Sequence, residues 1–533
     1  MNKKIAAIVF AIFVIVVFLC VGVTYCMPEN EHTQETIIQE TENNNETTMD
    51  SVQTDPIEDL PNNTEPPKVP ETESEESVEN NSPEETNPQK ENKPLIETPK
   101  PTEPEPIPTE PVETKPAETI TQQPTVTTPP KQEETKPIEE TKPAEKHIDY
   151  YTLPGSFSFY KGSADMSTIT EITFTNKKPS KYDEKWNANL KDTKDIVGYR
   201  DGTHVYIVGE KIYFNPRSNR MFAAKNSYGD DLFVNLKKIN GLDFVNTSLM
   251  TTTKMMFYEN LNFTELNLES FDMSNVTDVS FMFSGCLNLE TLHVSTWDVS
   301  KVKDFSAFIQ GTSHIGDAKL KHIDVSKWDT RSATKMGHVF YGCGQLEYID
   351  VSNWNVEKVT TFTHMFADCF SLKSIDFSGW NTYSVQSFDA MLNDCKSLKV
   401  VDIRPLETAT CTQFSQMFEA CTGLEEIIGI ETMDVSNASY YSFSEMFHCC
   451  SSIKSLDLSA WNTSKADNFA RMFARMTSLT YLNISNFDIS SLETVTEMFN
   501  GTSNLTEVIG MEDWNLENVK GTDTMYMDCP LAG

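Results

Sequence analysis

From Phe263 to Cys529 the apolar positions recur in one fixed phrase, ten times over. In the copy that starts at Leu346, Ile349 and Val351 alternate with Tyr348, Asp350 and Ser352. A period of two predicts a short strand with one face turned inward. Val359, Phe362 and Met365-Phe366 follow at spacings of three and four, which predicts a short amphipathic helix. Trp354 stands at the corner between them, and Asn355, which is Asp or Asn in other copies, suits a turn. Cys369 closes the phrase, and Leu372 begins the next.

The copies start at Phe263, Leu289, Leu320, Leu346, Leu372, Leu398, Leu424, Ile453, Leu479 and Leu505. Most steps are 26 residues; the unit at Leu289 takes 31, with its extra residues around His314 to Lys319, and the one at Leu424 takes 29. Insertions that leave the next unit intact belong on loops of one face. A weaker unit precedes these, with Leu236, Ile239, Phe244, Thr247-Ser248 and Met256-Phe257 in matching places. A period of this length predicts a solenoid of stacked units, none of which buries enough surface to fold by itself. The expected fold is α/β, with one short parallel strand and one short helix per coil over 236–533, behind a β-rich capping module at 148–235.

The rest of the chain divides by composition. Residues 28–147 contain no Phe, Trp, Tyr or Cys, hold 21 of the 26 prolines and carry −21 of the net charge of −36. Such a segment cannot bury a core and is expected to be a disordered, extended acidic stalk. Lys3 and Lys4 precede an apolar run over 5–23, long enough to cross a bilayer as a helix, with the N-terminus in the cytoplasm. Residues 1–27 are read as an uncleaved signal-anchor. A cleaved or lipidated signal is the alternative, although bulky Leu19 and Tyr25 before Cys20 and Cys26 do not suit lipidation. Either route leaves stalk and solenoid outside the membrane.

The repeated phrase Leu-x-x-Ile/Leu-Asp-Val-Ser-x-Trp-Asn/Asp-Thr-Ser-x-Val, running on to Met-Phe-x-x-Cys, resembles the BspA-type leucine-rich-repeat surface proteins. Ile453 to Ser464, with Leu456-Asp457-Leu458-Ser459 and Trp461-Asn462-Thr463, is a close copy. The block with Ile169 to Phe174, Trp186, Asp201 to Val208 and Ile212 to Pro216 is similar to that family's N-terminal module. The resemblance covers roughly 148–533. It implies a cell-surface location and, by analogy with family members that hold matrix proteins, an adhesive role. No Leu-Pro-x-Thr-Gly-type sorting signal ends the sequence, so attachment is expected through the N-terminus.

Six of eleven cysteines fall in one repeated slot, Cys286, Cys343, Cys369, Cys395, Cys421 and Cys450, and Cys529 fills it in the last unit. A row of disulfides is one reading; a ladder of buried thiols is the other. Three points favour thiols. The slot is Thr312, Met476 or Thr502 elsewhere, and Cys411 occupies a place usually filled by Val or Ala. The third is spacing: packed helices stand ~8–10 Å apart, too far for a bridge.

The exposed strand face supplies the candidate binding residues. Asp324, Asp350, Asp376, Asp402 and Asp457 share one strand position, with His293 in an equivalent place and His322 beside Asp324. Strands ~4.8 Å apart would stack them. A calcium strip is one reading, but a linear row does not surround an ion with six to eight oxygens. Carboxylates bonded to the Ser two residues on is the other. The pairs His293/His322 and His338/His364 could hold zinc only with two further ligands. Tyr348 and Tyr481 on the same face suit contact with a protein ligand. No cofactor or metal is expected.

No His-Glu-x-x-His, nucleophile elbow or phosphate-binding Gly loop is present, so the expectation is a non-enzyme. The part after the stalk is itself acidic, which disfavours nucleic acid. The sequence thus points to surface adhesion or recognition of an extracellular or host protein or glycan. The alternative is a structural envelope protein that associates laterally with itself.

Overall fold

The computed structural model describes residues 151–532, apart from 192 and 312–315. The apolar run at 5–23, the stalk at 28–147 and the insertion residue His314 lie outside them. The capping module is built on β1 (Glu171–Thr175), β2 (Glu184–Asn187), β3 (Ile196–Asp201) and β4 (His204–Gly209). Its sheet runs β2-β3-β4-β1-β5, where β5 (Lys238–Asn240) is the strand of the first, weak repeat. β1 and β5 pair in parallel with Ile172 opposite Ile239, so one continuous sheet joins the module to the stack. Trp186 on β2 packs edge-on against Tyr160 at 5.1 Å, and its indole donates to the carbonyl of Phe159 at 2.9 Å.

The stack then adds short parallel strands in three sheets: β6 (Glu265–Asn267), β7 (Thr291–His293) and β8 (His322–Ile323); β9 (Val400–Asp402) and β10 (Glu426–Ile428); and β11 (Ser455–Asp457), β12 (Tyr481–Asn483) and β13 (Glu507–Ile509). Register follows the repeat, with Leu266 opposite Leu292 and Leu292 opposite Ile323. Inward residues such as Leu292, Val294, Leu482 and Ile484 are buried, as the two-residue alternation requires.

The expected helix of each unit is absent. Among the described residues the only helical segments are 3₁₀ turns of three or four residues, and the Val-x-x-Phe-x-x-Met-Phe segment is a chain of β-turns. In the unit at Leu346 the backbone N–H groups alternate in direction. Those of Phe362, His364, Phe366 and Asp368 reach the carbonyls of Ser387, Asp389, Met391 and Asn393 on the next coil, at 2.9 to 3.0 Å. Those of Met365, Ala367 and Cys369 turn back to Phe362, His364 and Phe366, at 3.0 to 3.3 Å. An α-helix would direct its N–H groups along its own axis and leave none for this ladder. Left-handed residues at His364 (φ 54°) and Asp368 (φ 59°) break any helical run. The back of each coil is therefore a second hydrogen-bonded ladder.

That ladder corrects the spacing argument for the cysteines. Coils linked by direct hydrogen bonds bring equivalent rings close: Phe340 and Phe366 stack at 5.7 Å and Phe447 and Phe473 at 5.9 Å. Distance between helices does not keep the thiols apart. They are nevertheless free and buried at all seven slot positions, and most have another partner. Cys286, Cys369, Cys395, Cys421 and Cys450 donate to the backbone carbonyl of a Phe or Leu one coil back, at 3.0 to 3.3 Å. Thr502, in the same slot, makes that bond with its hydroxyl at 2.8 Å. Burial pushes the Cys286 thiol up to about 12. Tryptophans form a third row: Trp297, Trp328 and Trp354 stack at 6.0 and 6.1 Å, and each indole N–H donates to a carbonyl one coil back.

Candidate functional site

The front ladder of strands is interrupted. Leu292 opposite Ile323 ends one sheet, and regular pairing resumes only at Val400 opposite Glu426. Between them the chain at 347–351 and 373–377 follows the strand path, with Ile349 and Val351 still inward and buried, while the bond from Lys373 N–H to Glu347 carbonyl is kept at 3.1 Å. At the margin of this interruption lies an open depression of ≈ 820 Å³. Its walls include Thr291, His293, Lys321, His322, Asp324 and Tyr348.

Four of the nine residues proposed from sequence therefore meet at one place: His293, His322, Asp324 and Tyr348. His293 Nε2 lies 2.9 Å from Glu265 Oε1 on the preceding strand. Asp324 accepts from the Ser326 N–H at 3.1 Å and hydroxyl at 2.7 Å, and those two bonds hold its carboxyl below the usual range. Tyr348 is 59 % exposed, with the Lys373 ammonium 5.4 Å from its ring centroid. Lys373 also pairs with Glu347 at 2.6 Å, which raises the ammonium's affinity for its proton. Lys321 pairs with Glu290 at 2.8 Å. The wall thus offers one large aromatic face, two imidazoles and charges of both signs.

The other five do not join it. Asp350 and Asp376 lie further along the face, bonded to Ser352 and to the Ser378 N–H. Asp402 holds Arg404 at 2.6 Å. Asp457 caps Ser459 on β11, and Tyr481, half-buried on β12, stands opposite Ser455. The aspartates thus take part in local turns, and among the described residues no group of three or more His, Cys, Asp or Glu is placed to share a metal ion. His338 and His364 stack face to face at 4.9 Å across adjacent coils, and burial makes His338 harder to protonate.

Sequence reasoning missed Thr291, Lys321 and Glu347 around the depression, whose positions in the repeat carry no shared residue type. It also missed the exposed Tyr383, Tyr440 and Tyr441. For the last two a signal existed in the 29-residue length of their unit.

The chain matches the model of one protein family, described as "Mycoplasma protein of unknown function, DUF285", over residues 220–321, 314–430 and 441–531. Together these matches cover more than half of the 533 residues. The chain belongs to this family. As a DUF285 member it matches from Arg220, the first left-handed residue of the back ladder, before the first strand of the stack. No curated protein matches the chain in sequence. Among solved structures it is similar to a leucine rich cell surface protein from Faecalibacterium prausnitzii, at 15 % identity and TM-score 0.27 over 68 % of this chain and 90 % of that one. A leucine-rich repeat protein from Eubacterium ventriosum is 13 % identical with TM-score 0.25, over 57 % of this chain and 75 % of that one. An internalin from Listeria monocytogenes is 12 % identical with TM-score 0.19, over 53 % of this chain and 82 % of that one. At these scores none bears on ligand or activity.

Proposed function

We propose that the chain is a BspA-like surface protein whose solenoid recognises an extracellular or host protein, or a glycan, through the depression beside β7 and β8. On this reading the apolar run at 5–23 anchors it in a membrane and the acidic segment at 28–147 holds the solenoid away from the surface. The observation that supports it is the meeting of His293, His322, Asp324 and Tyr348 around one open concavity, on a face whose other carboxylates are already used in turns. An exposed tyrosine at the rim of a concavity is a usual source of contact energy in protein recognition. Convergent catalytic groups are not needed for this role.

The test is solid-phase binding of the purified protein to matrix proteins, mucins and glycans, repeated with the double variant His322→Ala/Tyr348→Ala. Saturable binding that weakens at least tenfold in the variant is expected, the size of one hot-spot truncation. Equal binding by wild type and variant would place recognition elsewhere. No binding at all, with concentration-dependent self-association, would favour the lateral envelope scaffold instead.

A further inference from the structure

Left-handed residues sit at two fixed places in most coils: just before the Met-Phe pair, as at His364, and just before the Cys slot, as at Asp368. Among the described non-glycine residues from 220 to 531, only Tyr440 (φ 35°) and Tyr441 (φ 59°) have positive φ outside those places. They also account for two of the three extra residues of the 29-residue unit at Leu424. Val359 and Phe362, Val385 and Phe388, and Ala466 and Phe469 are three apart, but Ala438 and Phe443 are five apart. The surplus lies at one gap in a row of single parallel bridges, which has another between Lys335 and Thr361. Thr361, Ser387 and Gln413 pair in sequence on one side and Asn468, Thr494 and Lys520 on the other, while the coil between contributes none.

An insertion that holds two aromatic residues in an unfavourable backbone region is not what the packing of the stack selects. Nor do the rings bury themselves: Tyr440 is 66 % and Tyr441 46 % exposed. Instead they fix each other, with centroids 4.5 Å apart and planes at 88°. Gln413 Nε2 donates to the Tyr440 carbonyl at 3.2 Å, and Asp467 Oδ1 accepts the Tyr441 N–H at 2.8 Å. Asp467 in turn accepts the Glu493 N–H on its carbonyl at 2.8 Å, and the Glu493 carboxylate has Lys520 at 3.5 Å as its partner. Two perpendicular aromatic planes bordered by carboxylates form a corner in which a cation meets ring electrons and negative charge together. A guanidinium suits it best, since it stacks on an aromatic face while its edge engages a carboxylate.

We propose that Tyr440 and Tyr441, with Asp467 and Glu493, form a second recognition site, which takes an arginine side chain from a basic segment of a partner protein. It lies apart from the depression at β7 and β8, shares no residue with it and does not depend on that assignment.

The test uses the full chain and a surface-immobilised peptide containing several arginines, with a neutral oligosaccharide as second probe. Tyr440→Ala/Tyr441→Ala is expected to weaken peptide binding at least tenfold against wild type. Tyr440→Phe/Tyr441→Phe stays within threefold, because the ring faces act, and Tyr383→Ala, an exposed tyrosine elsewhere, leaves binding unchanged. Contacts made by the acidic segment at 28–147 add the same background to every variant, which is subtracted before the ratios are taken. Deletion of Tyr440 and Tyr441 together restores the three-residue spacing, so the deletion protein is expected to lose peptide binding and to melt no lower than wild type. Unchanged peptide affinity in the double Ala variant overturns the proposal. So does loss of oligosaccharide binding alone, which would make the corner a glycan site. A deletion that lowers the melting temperature also overturns it, since the insertion would then serve the stack.

Discussion

Asp389 carries a carboxyl into the back of the stack, where its Oδ1 accepts the Ser415 N–H at 3.1 Å. That bond does not offset burial, which pushes the group up to about 6. Between the ordinary aspartate range near pH 4 and pH 6 the unfolded chain has lost this proton and the folded chain keeps it. The folded state therefore binds more protons in that window, and stability falls as pH rises through it. At neutral pH the ionised carboxylate costs up to about 3 kcal/mol. Asp389→Asn keeps an acceptor for Ser415 and removes the charge. It is expected to raise stability at pH 7 by about 2–3 kcal/mol and to leave it nearly unchanged at pH 4. Urea midpoints at the two pH values decide this; an equal gain at both would mean that packing, not charge, sets the effect.

At the scale of the coil element, the left-handed place before the Cys slot tolerates many side chains, yet holds Gly at Gly285, Gly342 and Gly501. Arg475 (φ 57°) fills it one coil before Gly501 (φ 71°). Arg475→Gly should therefore stabilise the protein by roughly 1 kcal/mol, and Gly501→Ala should destabilise it by a similar amount. Thermal melts of the two variants moving in the same direction would exclude backbone conformation as the cause. The same places explain what the sequence left hidden. Ile349 and Val351 announce a strand because a period of two has no other common source. The spacing Val359, Phe362, Met365-Phe366 fits a helix equally well as successive β-turns, whose bonds also return every third residue. Glycine would have marked the turns, but His364, Ala390, Gln416, Glu445 and Arg471 occupy the left-handed place instead. Their side chains compensate in part by bonding across coils: Gln416 donates to Glu445 at 2.7 Å, and Arg471 bridges Glu445 and Glu497 at 3.0 and 2.8 Å. The candidate site was legible where it follows the repeat, since His322 and Tyr348 hold the same position in adjacent coils and His293 stands two places further on in the coil before. The sheet interruption beside them was not, because the residues at 347–351 have the same pattern as paired copies.

For the folded part as a whole, each coil touches chiefly its neighbours, so stability is carried by interfaces along one direction and the ends matter most. The two ends are not equivalent. At the start, β1 pairs with β5 along Glu171 to Thr173, Phe222 stacks on Phe257 at 5.4 Å, and Phe214 meets Phe271 edge-on at 6.0 Å. All four of these phenylalanines are buried. At the far end the last coil covers Phe499 with Tyr526 at 5.6 Å, but its own Met511, Trp514, Leu516 and Val519 are only partly buried. Removing residues 151–235 would expose a paired strand edge and a buried aromatic cluster, a template for aggregation as well as a loss of burial. Removing 505–533 would expose the buried Leu482, Ile484, Val495, Met498 and Phe499 of one coil, but takes away only a short cover that is itself partly exposed. The first truncation is expected to lower the melting temperature by roughly 10 °C or more and to aggregate, the second by clearly less. Calorimetry and light scattering on both truncated proteins provide the comparison. Equal losses at the two ends would mean that the stack folds as one cooperative block rather than from its capped start.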